Sequence, residues 1–248
     1  MNTELKKIST PAAGVGTTIA AQRRQIPWSI KLAFTGFMAV LVPVYLAEYG
    51  PTNFLYFCDL ALFLTLAAVW LENRLLASMA AVGIILSQIV LWCGDFVAHL
   101  MGIKFIGITD YMFDGHRSLF LRGLSFFHGW LPFLFLFLVA RLGYDRRALF
   151  AWTGVAWSAI IFSYFCLPGP GAKLANPLAR VNVDYVHGFS DTVTQARMPG
   201  WAWLAFLIVG HACDYLSPHT FAAAQNLFSN FCRSGVVWKK PVFPAGRP

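Results

Sequence analysis

Several side chains that could do chemistry stand inside long apolar runs of this sequence. Cys58 and Asp59 lie in NFLYFCDLALF and His128 lies in LSFFHGWLPFL. Asp95 and His99 close a third run, and His211 with Asp214 belong to a later one. A charged group at the centre of a bilayer costs at least ~2.5–3.5 kcal/mol, so each needs a partner or a task. One available task is nucleophilic acyl transfer, with His128 as general base, Cys58 as nucleophile, and Asp59 or Asp95 orienting the imidazole. Thr52 and Tyr56 offer hydroxyls on the same stretch as Cys58. Another is metal binding: Asp95-x3-His99, joined by His116 or His128, has the helical spacing of a two-ligand arm. No HExxH or Cys–His set accompanies it, and the sequence leaves any cofactor unknown. A proton relay would be sparse, with about one carboxylate and one imidazole per leaflet. Against all three stands a structural use, in which carboxylate–imidazole bonds hold helices together for about 1–2 kcal/mol each.

Depth decides which of these groups can meet. A helix rises about 1.5 Å per residue, so Asp59 and His128 each sit roughly 9 Å inside the outer end of their runs. Asp95 stands four residues before His99, within reach of the same boundary. Gln88, Trp92, Asp95 and His99 recur at i, i+4, i+7 and i+11 and should share one inward face. Asp95 and His99 are also spaced to touch. The spacing therefore gathers Asp59, Asp95, His99 and His128 toward the outer leaflet, with His211 nearer the midplane and Asp214 in the inner half.

The elements that must position these groups are membrane helices. Of 248 residues 58% are hydrophobic and only 12% charged, and the apolar residues come in long runs rather than amphipathic stripes. The expected fold is all-α, six transmembrane helices at about 28–48, 53–71, 75–98, 124–140, 148–167 and 200–216. These form one domain, 28–217, between a cytoplasmic tail 1–27 and a second tail 218–248. Phe221, Ala224, Leu227, Phe228 and Phe231 predict a short amphipathic helix on the membrane surface. Pro168-Gly169-Pro170-Gly171 ends the fifth run, because proline cannot continue a helix. Residues 1–27 lack the apolar core and cleavage site of a signal peptide, so the first run should act as an uncleaved anchor.

Charge sets the orientation. Most of the 19 Lys and Arg, among them Lys6, Lys7, Arg23, Arg24, Arg74, Arg141, Arg146 and Arg147, fall where both termini are cytoplasmic. The net charge of +8 then serves orientation and contact with anionic lipid headgroups, and nucleic acid is not expected as a partner. The five cysteines form no CxxC pair and read mostly as buried small hydrophobes.

YGPTNFLYFCDLALFLTLAAVWLENRLLASM, ITDYMFD, LRGLSFFHGWLPFLF and RLGYDRRAL resemble a group of uncharacterised bacterial integral membrane proteins, over roughly residues 26–215. More distantly, the layout resembles the six-helix YwaF-like membrane family, which includes a transmembrane acyltransferase. The androgen-induced threonine lipid hydrolases share that architecture. The points of contact are Leu55-Tyr56-Phe57-Cys58, His128 and Asn182-Val183-Asp184-Tyr185. The resemblance implies Cys58 as acyltransferase nucleophile, His128 as its base, and a bacterial cytoplasmic membrane as location. Tyr56 stands near the position of the hydrolase threonine, with Thr52 about a turn away.

Taken together, the sequence reads first as an accessory or structural subunit of a membrane complex, in contact with lipids and other membrane subunits. A membrane-embedded lipid ester hydrolase or acyltransferase at His128, Cys58 and Asp59 is the second reading. A metal site at Asp95, His99 and His116 is the third.

Overall fold

The computed structural model describes residues 26–176 and 179–216, without the side chains of 211–216. The expected tails, the amphipathic segment after Pro218 and the His211 and Asp214 side chains lie outside it. The regular structure among the described residues is all helical, with no strand. Six helices follow the six apolar runs: α1 Trp28–Tyr49, α2 Phe57–Leu71, α3 Arg74–Leu100, α4 Leu119–Leu142, α5 Ala148–Cys166 and α6 Gly200–Leu216. Of these, α1, α3, α4 and α5 are long and apolar enough to cross a membrane. Helix α2 and the Gly200–Gly210 part of α6 are shorter apolar helices.

Local chemistry sets the breaks. Gly50, at φ +77°, ends α1, and Pro51 opens a 3-10 turn, Pro51–Leu55, before α2. Glu72 closes α2 in the left-handed region, at φ 49°. The Asn73 side chain then caps α3, accepting from the Leu75 and Leu76 amides at 2.8 and 3.3 Å, which satisfies donors that a helix start leaves open. The Ser118 hydroxyl caps α4 in the same way.

Helix α3 is the central rod, packed on α2, α4 and α5, while α1 lies on α2 and α6 on α5. Gly83 is the contact point with α5: a Cβ there would run into the Trp152 indole. Small residues let membrane helices approach this closely. Helix α1 meets α4 through Phe37, whose ring stands edge-on to Trp130 at 5.1 Å and Phe127 at 6.2 Å. The outer faces are apolar, with Phe133 72% and Phe150 67% exposed, as expected of surface that faces lipid rather than water.

Ion pairs pin one end of the bundle. The Lys31 ammonium contacts Glu72 at 2.8 Å, joining α1 to the end of α2. Buried Asp145, in the α4–α5 turn, binds Arg147 at 3.0 Å and Arg74 at 3.2 Å, and its amide donates to Ser78 on α3. Hydrogen bonds from Arg147, with the added charge of Arg74, hold the Asp145 carboxyl down at about 2.

Candidate functional site: an acidic, aromatic cavity at the other end

The opposite end of the bundle encloses a cavity of about 300 Å³ between α1, α2, α3 and α4, reached by both long connectors. Cys58, Asp59 and His128 all line it, as do Asp184 and Tyr185. Cys58, His128 and Tyr185 thus meet in one space, although Tyr185 stands more than half the chain beyond Cys58.

Two departures from regular helix shape this convergence. Helix α4 tightens at Phe126, where the Phe126 amide donates to Gly123 O and the Gly129 amide to Phe126 O, each three residues back. The His128 ring uses the Ser125 carbonyl at this joint, with Nδ1 at 2.7 Å. A carbonyl only accepts, so in the neutral ring Nδ1 carries the proton and Nε2 keeps its lone pair. The ring stacks at 5.4 Å on Trp92 from α3. Helix α3 in turn contains a π-helical turn, Gln88–Cys93, a feature frequent at functional sites. Gln88, Trp92 and Asp95 are buried on its inward side as the spacing predicts, but His99 is 40% exposed.

Asp59 is buried at the start of α2. Its Oδ2 accepts from the Asn53 amide at 3.0 Å and faces the Cys58 thiol at 3.8 Å, while Oδ1 has no partner. Asp59 does not orient the imidazole, as the sequence suggested; the Ser125 carbonyl does. Asp95 does not orient it either, and it lies outside this cavity. Asp95 Oδ1 accepts from the Ile106 and Gly107 amides at 2.7 and 2.8 Å, and Oδ2 accepts from the Thr109 amide and hydroxyl at 2.8 and 2.6 Å. The connector after α3 folds around this carboxylate, a turn of chain whose pairing no helical spacing could show.

Of the expected metal ligands, Asp95 and His99 line a small pocket together with Asp110, apart from the main cavity. His99 Nδ1 lies 3.2 Å from Asp110 and its ring stacks on Phe113 at 3.9 Å. His116 is placed by its backbone, whose amide donates to Asp114 at 2.9 Å. Among the described residues no group of three His, Cys, Asp or Glu side chains converges as metal ligands.

The connector between α5 and α6 forms the cover. Asn182 organises it, donating to the Gly188 and Ser190 carbonyls and accepting from the His187 amide. Asn182, Asp184 and Tyr185 all adopt positive φ, between 52° and 58°. For residues with a Cβ this is strained by roughly 1–3 kcal/mol each, and such strain clusters at functional sites. Asp184 Oδ1 accepts from the Phe57 amide at 3.4 Å, while Oδ2 is buried without a partner. Burial, reinforced by the charge of Asp59, holds the Asp184 carboxyl well above the usual carboxylate range. Trp203 of α6 anchors the cover, its indole donating to Tyr185 O at 3.0 Å.

Arg180 and Tyr111 complete the cavity, and neither stood out in the sequence. The Arg180 guanidinium lies 4.6 Å over the Tyr49 ring, with its buried Nε unpaired. The Tyr111 oxygen accepts from Trp92 Nε1 at 3.1 Å, which leaves its own proton to donate. Burial pushes the Tyr111 phenol up to about 12, so it stays protonated at neutral pH. Both residues sit in polar connectors whose path is set by long-range packing, and the one available signal was their proximity in sequence to ITDYMFD and the Asn-x-x-Tyr stretch. Compared with models of known protein families, with curated proteins and with solved structures, the chain matches none.

Proposed function

We propose that this protein is a multi-pass membrane enzyme that hydrolyses or transfers an acyl group within the cavity. The observation that carries this reading is the shared placement of His128 and Cys58, with the His128 Nδ1 proton committed to Ser125 O. That arrangement leaves the basic lone pair on Nε2, in a residue that lines a thiol-bearing cavity. In the proposed reaction, the Cys58 sulfur attacks the acyl carbonyl carbon and its proton passes to His128 Nε2. The carbonyl oxygen takes up negative charge, which the Tyr111 hydroxyl is suited to stabilise. Collapse expels the leaving oxygen or nitrogen, which receives the proton from His128. Water or a second acyl acceptor then attacks the thioester and frees Cys58.

Six spans with both termini cytoplasmic remain part of this proposal. The 3-10 turn Pro51–Leu55 helps α2 reach across: five residues at about 2 Å and fifteen at about 1.5 Å add to roughly the 30 Å of a bilayer core. The accessory-subunit reading needs the polar groups to serve only as helix glue. Asp95 and the Tyr45–Ser125 pair, at 2.7 Å, fit that role, but Asp59, Gln88, Asp184 and Arg180 keep unpaired atoms.

The test is labelling of the purified protein in detergent by thiol-directed and fluorophosphonate lipid probes. Covalent probe label on Cys58, lost in Cys58→Ala and reduced in His128→Ala, is the expected result. Labelling that survives both substitutions in folded protein would sink the acyl-transfer reading.

A further inference from the structure

We propose that the cavity selects a ligand bearing a primary ammonium group, with an anionic group on the same molecule facing Arg180. For the reaction this rests on the acyl-transfer reading, whereas the binding stands on the cavity alone. Asp59 is 3% exposed and Gln88 4%, and Asp59 Oδ1, Gln88 Oε1 and Asp184 Oδ2 are all buried without a hydrogen-bond partner. Gln88 Oε1 and an ionised Asp59 Oδ1 accept, Asp184 Oδ2 accepts once its proton has left, and all three residues line the same cavity. Buried acceptors are costly when unmet, so three at one site call for a donor-rich guest.

An ammonium group supplies three N–H donors and no acceptor. Its charge suits a space lined by the carboxyl groups of Asp59, Asp184 and Asp191 against one guanidinium, since a cation beside Asp184 favours the ionised form. Tyr45, Tyr49 and Trp92 give the walls π-faces that attract a cation. A quaternary ammonium would lack the N–H donors, and a purely anionic group would meet unpaired carboxyl oxygens. Arg180 forms the other pole, since its buried Nε is unpaired and can donate to a phosphate or carboxylate. At about 300 Å³ the space fits a small head group and not an acyl chain, which would extend between the helices into lipid.

Isothermal titration of the purified full-length chain in neutral detergent tests this. The probes are dihexanoyl phosphatidylethanolamine, phosphatidylcholine and phosphatidylglycerol, with free ethanolamine alongside. Phosphatidylethanolamine should bind at least about tenfold more tightly than the choline and glycerol lipids, a difference of about 1.4 kcal/mol. Free ethanolamine binding as tightly as the lipid would overturn the anionic pole at Arg180 and leave only the ammonium site. Asp59→Asn and Gln88→Leu should each weaken phosphatidylethanolamine binding at least about tenfold. Equal binding of the three lipids, or undiminished binding by a folded Asp59→Asn, overturns the proposal, and Gln88→Leu decides it if Asp59→Asn fails to fold. Turnover is read separately: binding without acyl transfer in the wild type would remove the reaction and leave the ligand class intact.

Discussion

Asp59 and Asp95 are both buried carboxylates near one end of the bundle, yet their surroundings differ in kind. Asp95 accepts four hydrogen bonds from a single connector, so its charge is spent on holding that connector to α3. Asp59 has one amide, one distant thiol and an oxygen left open to a cavity. A buried carboxylate therefore indicates a structural post or a working group according to how its lone pairs are used, and burial alone does not distinguish them.

Substitutions can break this contrast. Asp95→Ala should cause the largest loss of stability, at least about 3 kcal/mol, because it strands both buried Thr109 donors along with the partly buried Ile106 and Gly107 amides. Thermal unfolding in detergent would show it, and a variant as stable as the wild type would mean that the connector is held otherwise. Thr109→Val removes one of the four bonds and should cost about 1–2 kcal/mol, with ligand binding unchanged. Asp59→Asn keeps an acceptor for Asn53 and should change stability by less than about 1 kcal/mol, while lowering ligand binding. If Asp59→Asn instead destabilises as much as Asp95→Ala, the two sites are alike and the contrast fails.

The pH dependence sharpens the comparison from outside the spans. Asp184 has its folded pKa raised by burial, so its contribution to stability is full below the unfolded value of about 4 and is lost as pH rises through the folded value. Asp184→Asn should flatten that alkaline loss. Asp145 carries the opposite sign: held down to about 2 by Arg147, it stabilises above about pH 4 and loses that contribution as pH falls toward 2. Unfolding followed from pH 3 to 9 should show the acid limb shrink in Asp145→Asn and the alkaline limb shrink in Asp184→Asn. Unchanged limbs in both variants would mean that neither carboxyl titrates as its surroundings dictate.

Helix positions were readable in the residues themselves. Long apolar runs fix helices because a chain in lipid must satisfy its backbone internally, and Gly50-Pro51, Glu72-Asn73-Arg74 and Pro168-Gly169 mark where they stop. Cys58, Asp59 and His128 were readable as candidates because ionisable or nucleophilic groups stand out against apolar neighbours. Spacing also predicted the buried face Gln88, Trp92 and Asp95, but it extended that face to His99 and drew Asp95 into the cluster. Helical periodicity describes neighbours along one rod and says nothing about a connector that folds back over its end.

By itself, then, the sequence determined an all-helical chain with membrane-length apolar segments and the residue types able to do chemistry. The tertiary structure decided which of those residues share a space. It gathered Arg180 and Asp184 with Cys58 and His128 in one cavity, tied Asp95 to a connector and left His99 and His116 outside that cavity. The physical reason is that helix formation depends on contacts a few residues apart, whereas a cavity is made by contacts across more than a hundred, such as Phe57 with Asp184.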